Sequence, residues 1–316
     1  MKEAEQFGRL ITAMVSSFDE DGQVSVERTR LLAEHLADTG SESIVVSGTT
    51  GESPTLTERE RMILLKTVLH TVGDRVKVIA GTSEPDTAES VHLSKLAQTE
   101  GAHGLLLVTP HYNKPSQRGL IRHFSLIVEA VTTPCILYNV PSRTAVNMSP
   151  DTVLKLAGDF ENIVGLKEAV GVSTEQGRSQ VALLFEGIPS GFKIWSGNDQ
   201  DTLQILRMGG HGVVSVASHL VGDLITRMIN HHVVGEGDQA QQLHDHLMPL
   251  FEALFPPTSP EPSPSAIKAM LNLRGIPVGT LRPPVLDILD EYPNYRDRLQ
   301  VLLANYNLLP QGGDVR

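Results

Sequence analysis

The stretch Ile163-Val164-Gly165-Leu166-Lys167 is a short, continuous apolar run that ends in an amine, and Glu168 follows it directly. A run of this length without alternating polar residues is typical of a parallel strand that is buried on both faces. It therefore predicts a strand in the interior of an α/β fold, with Lys167 at its C-terminal tip.

Seven further short runs recur along the chain, most at the spacing of about 30 residues that is typical of a strand–helix–strand unit. The predicted strands are Leu10–Val15, Ser43–Ser47, Val76–Ala80, Gly104–Val108, Cys135–Tyr138, Ile163–Lys167, Lys193–Trp195 and Gly212–Val216. Eight such units favour an eight-stranded parallel β/α (TIM) barrel. An open, doubly wound sheet is the alternative, but it would favour a glycine-rich phosphate turn after the first strand. The residues there, Val15-Ser16-Ser17-Phe18-Asp19, include no glycine.

Helix start signals lie between the predicted strands. Ser25 is placed to cap one helix, and Thr57 with Glu60 has the spacing of a capping box. Ser149-Pro150 combines a cap with a proline at the first helical position. Strands and helices therefore alternate, as a β/α barrel requires.

The pattern changes after the last predicted strand, because residues 220–255 are helical in pattern almost throughout. The segment Pro256–Pro264 predicts a stiff connector, helical sequence follows to Leu309, and residues 310–316 are expected to fray. We expect two parts. They are a barrel domain of residues 1–232 and a C-terminal helical appendage of residues 233–316, packed on the barrel or on a neighbouring subunit.

The composition is typical of a globular protein with a large core, since 40% of the 316 residues are apolar and 20% are charged. The net charge of −11 comes without a basic run, so neither nucleic acid nor a membrane is an expected partner. Residues 1–7 do not resemble a signal peptide, and no stretch is long enough to span a bilayer. A single cysteine, Cys135, excludes an intrachain disulfide and fits a reducing compartment, so we expect a cytoplasmic protein with a buried thiol.

Lys167 allows two interpretations. Burial disfavours the ammonium form and lowers the pKa of a lysine from its ordinary value of about 10.4. The neutral amine can then attack a carbonyl group and form a Schiff base. The alternative is a lysine that extends its amine to the surface from the end of a strand, which is the commoner case.

Other polar residues are expected at the same rim, because catalytic groups of a β/α barrel lie at and after the C-terminal ends of its strands. Thr49 and Thr50 suit hydrogen bonding to a carboxylate, Tyr138 suits proton transfer, and Arg143 suits binding of an acidic substrate. Each has a simpler interpretation. The two threonines also fit a turn before a helix, Tyr138 also fits a core position, and Arg143 also fits an exposed loop. His111 is the one histidine expected there, so no metal site is predicted.

Four motifs, in this order, resemble the family of Schiff-base aldolases that includes dihydrodipicolinate synthase and N-acetylneuraminate lyase. They are Gly-Thr-Thr-Gly-Glu-Ser at residues 48–53, Tyr-Asn-Lys-Pro at 112–115, Tyr-Asn-Val-Pro-Ser-Arg-Thr at 138–144 and Leu-Lys-Glu-Ala at 166–169. The resemblance runs from about Gly8 into the C-terminal helices. The paired threonines and Arg143 favour the synthase members over their sugar-acid relatives.

The resemblance implies an enzyme of lysine and diaminopimelate biosynthesis without a metal or organic cofactor. It would condense pyruvate with L-aspartate 4-semialdehyde to 4-hydroxy-tetrahydrodipicolinate. Two alternatives stay open: another pyruvate-dependent Schiff-base aldolase or hydratase of the family, such as a sugar-acid lyase, and a non-catalytic pyruvate-binding relative.

The resemblance also implies roles for single residues. Lys167 would form the Schiff base with pyruvate. Thr49, Tyr138 and Tyr112 would relay protons, with Tyr112 reaching in from a neighbouring subunit of a homotetramer. Thr50 would bind the carboxylate of pyruvate. Three further substrate-binding positions are implied, namely Arg143 for aspartate semialdehyde and the pocket-wall residues Gly197 and Val214.

The chain departs from the family pattern at some positions. His111 replaces a tyrosine, Ala145 a glycine and Glu261 an asparagine. Lysine-inhibited relatives bind lysine near a subunit interface, where this chain keeps Ser53 and Glu89. It differs there at four positions, Glu58, Arg61, Pro85 and His111. We therefore predict weak or absent inhibition by lysine.

Overall fold

A computed structural model describes residues 4, 7–255 and 264–309, in which eight parallel strands close into a barrel. The strands are β1 Leu10–Ala13, β2 Ser43–Val46, β3 Lys77–Gly81, β4 Gly104–Val108, β5 Cys135–Asn139, β6 Ile163–Glu168, β7 Lys193–Ser196 and β8 Gly212–Ser215. Each pairs with the next, and β8 closes the ring on β1 with Val214 opposite Ile11. The predicted barrel and all eight predicted strands are confirmed, with ends that agree to within two residues.

Helices follow the strands and cover the outside of the barrel. They are α1 Val26–Asp38, α2 Glu58–Val72, α3 Thr87–Thr99, α4 Gln117–Glu129, α5 Pro141–Thr144, α6 Pro150–Asp159, α7 Glu175–Gly187, α8 Thr202–Arg207, α9 Ser218–Val233, α10 Gly237–Leu254, α11 Ser265–Leu273, α12 Ile288–Glu291 and α13 Tyr295–Asn305. The predicted caps are confirmed: the Ser25 side chain accepts from the third residue of α1, and the Ser149 side chain does the same in α6. Thr57 and Glu60 form the predicted capping box.

The strands are buried on both faces, which explains their continuous apolar sequences. Side chains of one set fill the barrel interior and include Ile11, Val45, Ile136 and Val214. The other set packs under the helices. Gly165 of β6 leaves room for the interior Trp195, because a Cβ at residue 165 would lie 2.5 Å from the Trp195 ring.

Cys135 is buried as predicted, and burial raises the pKa of its thiol to about 12. No helix among residues 4, 7–255 and 264–309 is both long and apolar enough to cross a membrane.

The C-terminal helices are present, but the prediction of helix from the proline segment to Leu309 is wrong for residues 274–287. Gly275 follows α11 with a φ of +87°, a left-handed conformation that ends a helix, and Pro277 cannot continue one. Helix α10 packs on α9, and α11 contacts α9, α10 and α13.

The predicted connector, apart from Pro264, and its Glu261 lie outside the described residues, as do residues 310–316 and all of residues 1–7 except Ala4 and Phe7. The division into residues 1–232 and 233–316 stays a prediction.

Candidate active site at the C-terminal rim of the barrel

Lys167 and Tyr138 lie side by side on neighbouring strands. They are paired residues of β6 and β5, close to the C-terminal ends of both strands. The Nζ atom of Lys167 lies 4.1 Å from the centroid of the Tyr138 ring. Both residues are only 6% exposed. The barrel therefore holds an amine and a phenol together in a site with little access to water.

The surroundings of Lys167 lower the pKa of its amine to about 7. Burial is the main cause, because the ammonium form loses its hydration. The positive charge of Arg143 lowers this pKa further, and the carboxylate of Asp199 opposes the shift. A large share of the amine is therefore neutral at neutral pH, as a nucleophile must be.

Tyr138 responds to burial in the opposite direction, since its charged form is the phenolate. Burial raises the pKa of its hydroxyl to about 12, and Arg143 counteracts part of this rise. The phenol consequently keeps its proton at neutral pH. It can donate that proton to a neighbouring group and recover it later.

Thr49 and Arg143 line a common cavity of about 200 Å³ at this rim, together with Val108, His111, Val140 and Thr144. Arg143 belongs to the short helix α5 directly after β5. Its charge also acts on Lys167 and Tyr138. The structure thus brings a hydroxyl and a guanidinium to the same opening, close to the buried amine.

Thr49 and Thr50 belong to a tight turn after β2. Gly51 N donates to Gly48 O at 3.0 Å, and Glu52 N donates to Thr49 O at 3.1 Å. The hydroxyl of Ser16 donates to Gly51 O at 2.6 Å and ties the turn to the loop after β1. Thr50 is 8% exposed, whereas Thr49 is half-buried.

Gly197 contacts the end of β6, and Val214 lies in the barrel interior. Gly197 N donates to the carbonyl of Glu168, the residue after Lys167, at 2.7 Å. A Cβ at residue 197 would lie 2.6 Å from the Cβ of Ala169, so this close approach requires glycine. Val214 is buried in the barrel interior, in the same apolar group as Tyr138.

Tyr112 is presented to solvent, outside the cavity that Thr49 and Arg143 line. Its side chain is 92% exposed, and its φ of +69° is a left-handed conformation that is uncommon for a residue with a side chain. It does not line the cavity that contains its neighbour His111. Within a single chain, therefore, Tyr112 does not reach Lys167.

The side chain of Glu168 was not assigned a role from the sequence, although it follows Lys167. It is 2% exposed and accepts hydrogen bonds from Asn139 Nδ2 at 3.0 Å, Val170 N at 2.9 Å and Gln180 Nε2 at 3.3 Å. Burial raises its pKa to about 7 in spite of these donors. The signal in the sequence was its position at the end of a buried apolar strand, from which a buried carboxyl group could have been predicted.

Asp199 follows the seventh strand, and it too was not assigned a role from the sequence. It is 3% exposed, and its Oδ2 accepts from Val216 N and Ala217 N at 3.0 Å each. Its Oδ1 has no hydrogen-bond partner among the described residues. Its pKa is raised by burial, and its charge acts on the amine of Lys167. Asp199 thus fixes the backbone of the loop after β8 by hydrogen bonds and supplies a negative charge that acts on the amine of Lys167.

The described part of the chain contains no group of three or more His, Cys, Asp or Glu side chains placed to hold a metal ion. The chemistry available from the described residues is that of an amine, hydroxyl groups, two buried carboxyl groups and a guanidinium.

Residues 6–303 match the model of the dihydrodipicolinate synthetase family. A 4-hydroxy-tetrahydrodipicolinate synthase of Symbiobacterium thermophilum is 48% identical over 303 residues, which cover 96% of this chain and 99% of that protein. A 4-hydroxy-tetrahydrodipicolinate synthase of Heliobacterium modesticaldum is 48% identical over 286 residues, which cover 90% of this chain and 92% of that protein. The crystal structure of a DHDPS from Cyanidioschyzon merolae with lysine bound superposes with a TM-score of 0.89, at 42% identity over 96% of this chain and 99% of that one. This chain therefore belongs to the dihydrodipicolinate synthetase family.

Proposed function

We propose that this chain condenses pyruvate with L-aspartate 4-semialdehyde through a Schiff base at Lys167 and releases 4-hydroxy-tetrahydrodipicolinate. The observation that carries the proposal is the buried amine of Lys167, set 4.1 Å from the Tyr138 ring at the rim of the barrel. Burial lowers the pKa of this amine to about 7. Relatives named 4-hydroxy-tetrahydrodipicolinate synthase that match almost the whole chain support the same reaction.

The neutral Nζ of Lys167 attacks the keto carbon of pyruvate and forms a C–N bond. The former keto oxygen takes up protons and leaves as water, which gives the protonated imine. The iminium withdraws electrons, so the adjacent methyl group loses a proton and becomes an enamine carbon. That carbon attacks the aldehyde, and the substrate's own amine then closes the ring and displaces Lys167. Each step moves a proton, and Tyr138 and Thr49 are the proposed carriers.

Each substrate carries a carboxylate, and each carboxylate needs its own anchor. Thr50 is the proposed partner for the carboxylate of pyruvate. Arg143 is the proposed partner for aspartate semialdehyde at the cavity. A local cation is needed there because the protein carries a net charge of −11. Gly197 and Val214 complete the proposed wall of the pocket.

Tyr112 is the proposed third member of the proton relay, supplied by a neighbouring subunit. Its 92% exposure supports this role, because a large aromatic side chain presented to solvent is available to a second copy of the chain. We propose a homotetramer in which each site borrows this tyrosine. Residues 1–232 are proposed as the catalytic barrel and residues 233–316 as a helical region. The single, buried Cys135 supports a cytoplasmic location.

An aldehyde panel with purified protein tests the function. With saturating pyruvate, kcat/KM for aspartate semialdehyde is expected to exceed that for sugar aldehydes by about 100-fold or more. The Arg143→Gln variant is expected to lose most of this preference while it still reacts with pyruvate. A preference for sugar aldehydes would assign the chain to the sugar-acid aldolases. Pyruvate binding without imine or product would identify a non-catalytic relative.

A further inference from the structure

Lys268 is a second buried lysine, besides the proposed Schiff-base lysine. It lies on α11 in the C-terminal helical region and is 0% exposed. Its Nζ forms an ion pair with Glu52 Oε1 at 2.9 Å and donates to Thr280 O at 2.6 Å. The same Nζ lies 4.3 Å from the centroid of the Phe18 ring. A buried charge is tolerated only when it is paired, so this contact fixes the position of both partners.

Glu52 connects that ion pair to the proposed active site. It lies in the turn that carries Thr49 and Thr50, and its backbone N–H donates to Thr49 O at 3.1 Å. Its φ of +56° is in the left-handed region, which is unfavourable for a residue with a side chain. The turn therefore adopts a strained conformation at Glu52 and needs external contacts to keep it.

Arg282 supplies a second set of contacts from the C-terminal region. Its backbone N–H donates to Glu52 Oε2 at 2.9 Å, so both carboxylate oxygens of Glu52 are bound from that region. Its Nη1 donates to Thr55 O at 2.8 Å, just beyond the turn. Its guanidinium also lies over the Phe18 ring, with Cζ 4.4 Å from the ring centroid. These partners are distant in sequence: Lys268 lies 216 positions from Glu52, and Arg282 lies 230 positions from it.

We propose that Lys268 and Arg282 are positioning residues for the reaction. Through Glu52 they hold the turn of residues 48–53, so that Thr49 and Thr50 meet pyruvate in a fixed geometry. The C-terminal region then contributes to the geometry of the active site as well as packing on the barrel. This inference rests on the proposed roles of the two threonines.

The Lys268→Met variant tests the inference, because it keeps a long apolar side chain and removes the ion pair. The Glu52→Gln/Lys268→Met double variant removes both charges, so it regains thermal stability that the single variant loses to an unpaired buried carboxylate. Arg274→Met is the matched control. Arg274 lies in the same region, but its guanidinium donates to Leu220 O on α9 at 3.0 Å and not to the turn of residues 48–53.

Lys268→Met is expected to raise the KM for pyruvate about tenfold or more and to lower kcat, since small displacements of reacting groups are costly. The double variant is expected to recover thermal stability without recovering KM or kcat. The pH midpoint of imine formation at Lys167 should stay as in the parent protein. Arg274→Met should keep the parent values of KM and kcat.

Two results would overturn the inference: a loss of thermal stability alone in Lys268→Met, or equal kinetic effects in Arg274→Met. Reductive trapping of pyruvate at Lys167 distinguishes an error in the inference about Lys268 and Arg282 from an error in the proposed function. If the parent protein traps pyruvate but does not use aspartate semialdehyde, the proposed function is wrong, and the variants are then compared by their trapping rates.

Discussion

The low pKa of Lys167 has a consequence for stability that Lys167→Met should reveal. In the unfolded chain the amine has a pKa of 10.5, and in the folded protein of about 7. Between these values the unfolded chain binds a proton that the folded protein does not, so this lysine destabilises the fold. This destabilisation is largest below pH 7 and disappears as the pH rises through 10.5. It amounts to about 4 kcal/mol at pH 7 and about 2 kcal/mol at pH 9.

Lys167→Met removes this cost and keeps most of the side-chain volume. The free energy of unfolding of the variant should therefore exceed that of the parent by a margin that shrinks by about 2 kcal/mol from pH 7 to pH 9. Denaturant titrations of both proteins at one protein concentration measure the margin. Lys155→Met is the control, because the side chain of Lys155 is 54% exposed and its amine forms only a surface ion pair with Asp159. An equal margin for Lys167→Met at both pH values would refute the lowered pKa.

Three further outcomes are expected. The initial rate of pyruvate trapping should fall about tenfold per pH unit below pH 7, because protonation of Lys167 removes the nucleophile; a flat profile would exclude a pKa of about 7. Arg143→Gln should raise the KM for aspartate semialdehyde about tenfold or more and shift the trapping midpoint to higher pH, since its charge lowers the pKa of Lys167; an unchanged midpoint would remove Arg143 from the site. Lysine should inhibit weakly or not at all in the purified assay, because Arg61 is ion-paired with Glu84 in the cavity that also contains Glu89; strong inhibition at low lysine concentration would contradict this.

The fold could be predicted from the sequence because each element carries a local signal. The run that ends at Lys167 is apolar throughout, as a strand buried on both faces must be, and the cap at Thr57 is encoded within four residues. The prediction that Lys167 and Tyr138 lie at one rim followed from their places at the ends of consecutive strands, which the structure pairs. These parts of the site depend on short-range patterns and on the geometry of a barrel.

Other parts of the site could not be predicted, because they depend on contacts between distant residues. The ion pair of Lys268 with Glu52 joins residues that are 216 positions apart. The sequence around each of them does not distinguish it from a charged residue on the surface. The orientation of Asp199 towards β8 depends on backbone donors at Val216 and Ala217 that no pattern specifies. The break in helix after α11 was not predicted, although Gly275, with its left-handed backbone, and Pro277 are the local features that end the helix.

Borohydride reduction in the presence of pyruvate, followed by peptide mass mapping, addresses the role of Lys167 itself. The reduced pyruvate adduct is expected on the peptide that contains Lys167, and it should be absent from Lys167→Met. The buried Lys268 is an internal control, since its amine is held in an ion pair with Glu52. An adduct on Lys268 or on any other lysine, or an unmodified Lys167 in a protein that still turns over pyruvate, would show that this amine is not the nucleophile.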